Sequence, residues 1–293
     1  ASIRERRPDV IYASLSAYGP RGPDSGRPGY DAILQARTGI MSVTGDPESA
    51  RAAPLRAGVS ILDLGAGVWM ALGILAALLE RQRSGRGQRV DASLFQTGVM
   101  LMTYHLLYRQ FARVDPKPQG SRHTAFAPYA AFQAADGAIM IGISSDKAFR
   151  RLCQALGRPE WPEDPRFRAN VDRVANASAL EKLISQTLRA HPVAHWSEVL
   201  DRYDVANDPV QSPGQVMADR QMAALGQLAE VALDGEEPAL LPRLPVGLSL
   251  TPPSLQGPPP RVGQHTREIL DEAGYAPAEI EELIRAGLSA AGP

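Results

Sequence analysis

The chain has 293 residues, 44% of them hydrophobic and 22% charged, with a formal net charge of −1. That length and balance fit a globular protein of one large or two modest domains, and near-neutrality removes the electrostatic case for nucleic acid or an anionic membrane as partner. A single cysteine, Cys153, excludes an intramolecular disulfide and fits a reducing, cytoplasmic setting.

The chain opens at Ala1 with no signal or transit pattern. A charged stretch, Ser2 to Arg7, leads through Pro8 into Asp9-Val10-Ile11-Tyr12-Ala13-Ser14-Leu15. This β-branched run predicts a fully buried strand, and a fold that begins on an interior strand is expected to have further chain upstream. The Gly- and Pro-rich segment from Tyr18 to Gly29 predicts a loop. Tyr30 to Thr38 predicts a short helix stopped by Gly39. A long apolar helix follows from about Leu64 to Arg83, with Arg81, Arg83 and Arg86 at its negative end. Its uncharged run, Leu64 to Leu79, is shorter than the roughly 18–20 residues of a membrane span and reads as a buried core helix. Gly85-Arg86-Gly87 makes a turn, and the alternation in Gln88 to Phe95 predicts a strand. Strand, helix, helix, strand is the grammar of an α/β fold.

Residues 96–113 predict one further apolar helix, and the polar, proline-bearing stretch 114–127 a linker. Tyr129 to Gln133 and Gly137 to Ile143 predict a hairpin turned at Asp136-Gly137. Amphipathic helices are expected at about 146–157, 177–189 and 193–203, which makes a small α+β domain. Strand-like sequence returns at Leu244 to Leu248, a Pro-rich loop follows at 252–260, and helices at 266–274 and 277–286 close the chain, the last with Pro277 at its first position. The expected organisation is therefore a large α/β domain begun by 1–113, the linker 114–127, a small domain 128–228, and a return to the large domain in 229–293.

Asp63 is the one charge at the mouth of the long apolar helix. An aspartate there is either a cap worth about 1 kcal/mol or a working group held in a dry place. Gly65 and Gly67 each cost about 1 kcal/mol of helix propensity, which predicts a close approach to this backbone. Helix amides beside such a carboxylate could stabilise an oxyanion. The loop at 19–29 fits neither a Walker motif nor a G-x-G-x-x-G entry into a helix. His105 and His123 lack partners at metal-ligand spacing. His191 and His195 lie four apart but flank Pro192 without a third ligand nearby, a poor metal motif. Cys153 reads as a buried packing residue. Arg27 and Arg37 read as exposed loop residues.

Several ordered blocks resemble the class III CoA-transferases, the CaiB/BaiF group that includes formyl-CoA transferase and carnitine CoA-transferase. They are Asp9 to Gly19, Pro28-Gly29-Tyr30-Asp31, Asp63 with its Gly-rich helix, Ser84 to Leu94, Ala127-Pro128-Tyr129, Asp164-Pro165-Arg166-Phe167, and Gly263 to Leu270. The resemblance spans essentially the whole chain, although the family begins further upstream with a strand–helix unit that contacts the CoA nucleotide. It implies a Rossmann-like large domain built from both chain ends, a small α+β domain and an interlocked homodimer. It implies Asp63 as catalytic nucleophile, Ser16, Ala17, Tyr18 and Gly19 in contact with CoA, and Tyr30 and Gly65 at the substrate or its oxyanion. The substrates would be an acyl-CoA thioester and a carboxylic acid, with no permanently bound cofactor and no metal. CoA would pass through an aspartyl anhydride and an aspartyl-CoA thioester. The glycine loop of formyl-CoA transferase is not seen around 119–127, so formyl-CoA and oxalate specificity finds no support there. The same fold hosts α-methylacyl-CoA racemases, which place a histidine where this chain has Tyr30. A phenol with a pKa of about 10 is a poor base at neutral pH, which favours transfer over racemisation. A catalytically inactive paralogue is the third reading.

Overall fold

The computed structural model describes residues 2–47, 54–233, 237–255 and 257–289. They form two compact units, one up to Val210 and one from Gln211 onward.

The first unit opens with helix α1 (Ser2–Arg6) and strand β1 (Tyr12–Ser16), followed by helices α2 (Asp31–Arg37), α3 (Ile40–Val43) and α4 (Ile61–Ser84). Strand β2 (Arg89–Ser93) then pairs in parallel with β1, Tyr12 against Arg89 through Ser16 against Ser93. The β1–α4–β2 segment is thus a crossover of the expected α/β kind. Gly39, in the left-handed region at φ 90°, follows α2, and Gly85 at φ 69° ends α4. Close approach also fixes Gly87: an added Cβ would stand 2.0 Å from the Val10 carbonyl oxygen. Its amide donates to the Pro8 carbonyl at 2.9 Å, so residues 8–10 pack on this turn and the strand begins at Tyr12.

The expectation of a fully buried first strand is corrected. Tyr12, Ala13 and Leu15 are exposed, because β2 is the only strand paired with β1 among the described residues. The long helix is corrected too. It starts at Ile61, and over its 24 residues it is long and apolar enough, by length and composition, to cross a membrane. Only a stripe of it is buried, at Leu62, Ala66, Met70 and Ala77. That stripe has helical spacing, and the helix packs on β1, β2 and the helix after β2. Gly73 permits the packing on β2, since an added Cβ would meet Val90 Cγ1 at 2.6 Å. The single helix expected over 96–113 is two, α5 (Leu94–Leu101) and α6 (Thr103–Ala112), separated at Met102 where ψ opens to 7°.

The hairpin is present as β3 (Tyr129–Gln133) and β4 (Ala138–Gly142), with a third antiparallel strand, β5 (Asn207–Pro209), on β4. Helices α7 (Asp146–Ala155), α8 (Asn170–Ala175), α9 (Ala177–Leu188) and α10 (Val193–Arg202) accompany it. Ser145 caps α7 through Oγ, which accepts the Ala148 amide at 3.2 Å, and Asp136 in the hairpin turn accepts the Val193 amide at the start of α10 at 2.8 Å. Phe132, Ile139, Ile141, Phe149, Leu152 and Ile184 lie at the centre of this unit's main apolar core.

The second unit holds α11 (Pro213–Met217), α12 (Arg220–Ala224), the hairpin β6 (Leu228–Val231) and β7 (Ala239–Pro242), α13 (Thr266–Glu272) and α14 (Pro277–Arg285). The strands occupy 228–231 and 239–242, and Leu244 to Leu248, with Pro245 and Gly247 inside it, is irregular. The described residues of the Pro-rich stretch 252–260 carry neither helix nor strand, and Gln256 lies outside them. The break at Val210 falls before the 228/229 boundary expected from composition.

Candidate active site

Arg81, in the last turns of α4, donates to the Asp9 carbonyl at 3.3 Å, just before β1. The C-terminal end of α4 therefore sits at the start of the strand, and its N-terminal end reaches toward the strands' carboxyl ends. Ligands of open α/β sheets bind at such ends. The chain leaving β1 turns sharply there: the Gly19 amide donates to Ser16 Oγ at 3.0 Å, with Gly19 at φ 95°. The Phe95 amide donates to the Ala17 carbonyl at 2.9 Å. An added Cβ on Gly19 would lie 3.6 Å from Ser93 Oγ and 3.7 Å from Gln96 Oε1, so residues 16–19 pass over the β2–α5 junction. The Tyr18 ring lies 6.3 Å from the Phe95 ring and 5.5 Å from the Arg27 guanidinium.

A small apolar cluster of Leu34, Leu62, Ala66 and Leu94 joins these parts, with Ala17 and Tyr18 packed against it. Asp63 follows Leu62 directly. It is exposed, not held in a dry place, and it is the third residue of α4, not its cap. Ser60 occupies the cap position without a side-chain hydrogen bond. The cap comes from α2 instead, where the buried Asp31 accepts the Leu62 amide on Oδ2 at 2.7 Å. Gln35, fully buried, donates from Nε2 to Asp31 Oδ1 at 2.5 Å and accepts the Ala57 amide at 2.8 Å. The Leu64 amide donates to the Ser60 carbonyl at 3.1 Å. The Asp63 carboxylate itself has no hydrogen-bond or ion-pair partner among the described residues.

The other expected site residues fall into place around this link. Tyr30 precedes Asp31 as Asp63 follows Leu62, so the Asp31–Leu62 hydrogen bond brings both neighbourhoods together. The Tyr30 side chain is 77% exposed. Gly65 does serve a close approach, made to a neighbour within the protein: an added Cβ would meet Thr97 Cγ2 at 3.0 Å, whereas Gly67 faces open space. Asp31 and Gln35 were not singled out from the sequence as site residues. The signals there are the place of Asp31 in the Pro28-Gly29-Tyr30-Asp31 block and the i, i+4 spacing of the two polar residues within an otherwise apolar stretch.

Arg27 and Arg37 both pair with Asp24, at 2.8 and 3.1 Å, and Arg27 holds the Asp24 carboxyl below the usual carboxylate range. His123 accepts the Ala125 amide at 3.0 Å and lies 5.1 Å from the tilted Phe126 ring and 5.2 Å, edge-on, from that of Tyr129. The His191 and His195 rings lie 4.1 Å apart. Among the described residues no group of three or more His, Cys, Asp or Glu side chains converges. Cys153 is buried in the main core, which pushes its thiol up to about 12.

A family model described as CoA-transferase family III matches residues 1–266. The chain belongs to CoA-transferase family III. It is 35% identical over 98% of its length to an acyl-CoA transferase of Fusarium pseudograminearum. To a succinyl-CoA:glutarate CoA-transferase of Mus musculus it is 33% identical over 96% of its length. It spans 62% and 64% of the lengths of those two relatives. Over 75% of the chain it is 37% identical to an acetyl-CoA:oxalate CoA-transferase of Acetobacter aceti, of which it covers 56%. A crystal structure of a CAIB/BAIF family protein from Brucella suis superposes with a TM-score of 0.79 at 30% identity, covering 92% of this chain and 70% of that one.

Proposed function

We propose that this family III chain moves CoA from an acyl-CoA thioester to a carboxylic acid, with Asp63 as the nucleophile. The single observation that carries the reading is the unpartnered Asp63 carboxylate at the head of α4, beside the cluster that seats Ala17 and Tyr18. A carboxylate without a hydrogen bond or counter-ion keeps its lone pairs for attack. In the first step Asp63 Oδ adds to the thioester carbonyl, the C–S bond breaks, and CoA thiolate leaves a mixed anhydride. The thiolate then attacks the aspartyl carbonyl, releasing the donor acid and forming an aspartyl-CoA thioester. The acceptor carboxylate displaces the thiolate to make a second anhydride. Attack of the thiolate on the acceptor carbonyl gives the new acyl-CoA and regenerates Asp63. No proton is gained or lost overall.

Ser16, Ala17, Tyr18 and Gly19 are assigned to CoA, and Tyr30, exposed at the head of α2, to the acyl group. The amide of Asp63 has no acceptor among the described residues, and an N–H at a helix start is suited to an oxyanion. The relatives whose names contain glutarate and oxalate support a dicarboxylic acid as one of the exchanged acids. The exposed apolar side chains of α4 and α6, among them Leu72, Leu75, Leu107 and Phe111, support a partner surface for a second copy.

The test is a trap with succinyl-CoA and hydroxylamine, read by mass spectrometry. The adduct is expected on Asp63, and Asp63→Ala is expected to lower transfer by more than about 1,000-fold without unfolding the chain. An adduct on another residue, or transfer retained by the folded variant, refutes the assignment. Solvent deuterium entering the α-carbon of an acyl-CoA without acceptor acid would instead establish racemisation.

A further inference from the structure

We infer that Asp31 and Gln35 form a positioning clamp that sets the first turn of α4, and with it the attack geometry of Asp63. The inference rests on Asp63 being the nucleophile. The link runs without a gap. The Leu62 amide donates to Asp31 Oδ2 at 2.7 Å, Gln35 Nε2 donates to Asp31 Oδ1 at 2.5 Å, and the Ala57 amide donates to Gln35 Oε1 at 2.8 Å. Two side chains of α2 thus hold both ends of the segment 57–62 that leads into α4. No cap on α4 itself does this, since Ser60 makes no side-chain hydrogen bond.

The cost of losing such a link is high where it lies. Asp31 is 5% exposed and Gln35 is 0% exposed, so water does not readily replace a missing partner. The apolar floor is rigid as well, because Leu34 and Leu62, neighbours of the clamp, are both fully buried in one cluster. The Asp63 carboxylate, by contrast, has no hydrogen bond or ion pair among the described residues to orient it. Its location follows from the backbone of the first turn, and the clamp holds the amide immediately before it.

The donor and acceptor pattern admits one exchange. In Asp31→Asn the new amide can satisfy Leu62 only by turning its NH2 toward the Gln35 NH2. Flipping Gln35 moves the same donor–donor conflict to the Ala57 amide. In the double variant Asp31→Asn/Gln35→Glu every donor again meets an acceptor. The asparagine oxygen takes Leu62, its NH2 donates to the glutamate, and the other glutamate oxygen takes Ala57. The swap restores stability and positioning alike, so the positioning role is read from the rate of modification in folded single variants with KM held.

The experiment uses the full chain with succinyl-CoA as probe. It measures the single-turnover rate of Asp63 modification in the presence of hydroxylamine, the KM for succinyl-CoA, the melting temperature, and amide exchange at Leu62 and Ala57. Asp31→Asn is expected to slow modification about 100-fold, the scale of a misplacement near 1 Å, with KM changed less than about threefold. The swapped double variant is expected to recover most of the rate and the exchange protection. A wild-type rate in folded Asp31→Asn, or no recovery in the folded double variant, overturns the clamp. If Asp31→Asn does not fold, Gln35→Met removes the brace to Ala57 while keeping the bond to Leu62. It is expected to slow modification about 10-fold, and an unchanged rate overturns the inference. Asp63→Ala is run alongside. Wild-type transfer in that variant refutes the nucleophile and not the clamp, whose presence is then decided by exchange at Leu62 alone.

Discussion

Replacing Gly65 with alanine separates two explanations for a glycine in the second turn of a long helix: room for a neighbouring side chain, or room for a substrate. An alanine in α4 gains about 1 kcal/mol of helix propensity. Against this, its Cβ would stand 3.0 Å from Thr97 Cγ2, on a residue that is itself buried. Overpacking of that kind costs about 1–3 kcal/mol, so Gly65→Ala is expected to destabilise by about 0–2 kcal/mol. Thr97→Ser removes the opposing methyl and keeps the hydroxyl that donates to the Ser93 carbonyl at 2.9 Å. Alone it loses a buried methyl, about 1 kcal/mol. Combined, the two changes exchange one methyl for another across the same gap, and the double-mutant cycle is expected to show about 1–2 kcal/mol of favourable coupling. Urea unfolding of the four proteins measures that coupling, and CoA transfer is assayed on each. Strict additivity would refute the packing account. So would a Gly65→Ala protein of wild-type stability that has lost transfer and is not rescued by Thr97→Ser, because the glycine would then serve the substrate.

The remaining predictions concern the unit's main core. Arg173 is fully buried, donates to the Ala127 and Phe167 carbonyls at 2.7 and 3.1 Å, pairs with Asp146 at 2.7 Å and lies 4.4 Å from the Phe149 ring. Arg173→Met strands two carbonyls and is expected to cost about 3 kcal/mol in urea unfolding; a loss below about 1 kcal/mol would show that Met packing replaces the network. The Cys153 thiol is raised from its ordinary 9.0 to about 12 by burial. The unfolded thiol ionises first as pH rises, so its contribution to stability is intact below about pH 9 and is lost progressively up to about pH 12. Unfolding free energies of the wild type and Cys153→Ala across that window check this, and equal pH slopes would contradict it. Folded chain should also resist iodoacetamide at pH 8, a condition under which the unfolded thiol reacts.

The β3–β4 hairpin and the helices that accompany it were legible because their signals are local. Asp136-Gly137 marks the short connection between the paired Gln133 and Ala138, and α7, α9 and α10 each repeat their apolar residues at helical spacing. The third strand, Asn207–Pro209, was not legible, since three polar and proline residues carry no strand signal and join the sheet only through pairing with β4. Leu244 to Leu248 misled in the opposite sense: apolar composition pointed to a strand, but Pro245 and Gly247 interrupt any ladder and the pairing lies upstream. The burial of β1 was misjudged because an apolar run reports what a strand can bury, and a two-stranded ribbon leaves nearly half of Tyr12 and of Leu15 exposed.

Asp63 shows the same division at the site. Its place at the head of an apolar helix, and the ordered blocks around it, follow from residue order, because capping chemistry and glycine spacing act over a few positions. Sequence reasoning left open whether it was a cap or a buried working group, and tertiary structure decided that it does not cap α4 and is exposed. The cap is Asp31, thirty-one residues before the Leu62 amide it accepts, and Gly65 answers to Thr97 on another helix. A hydrogen bond between distant residues and a methyl-sized gap between two helices are set by how α2, α4 and α5 pack together. No local pattern encodes that distance, which is why the carboxylate was legible in the sequence and the device that holds it was not.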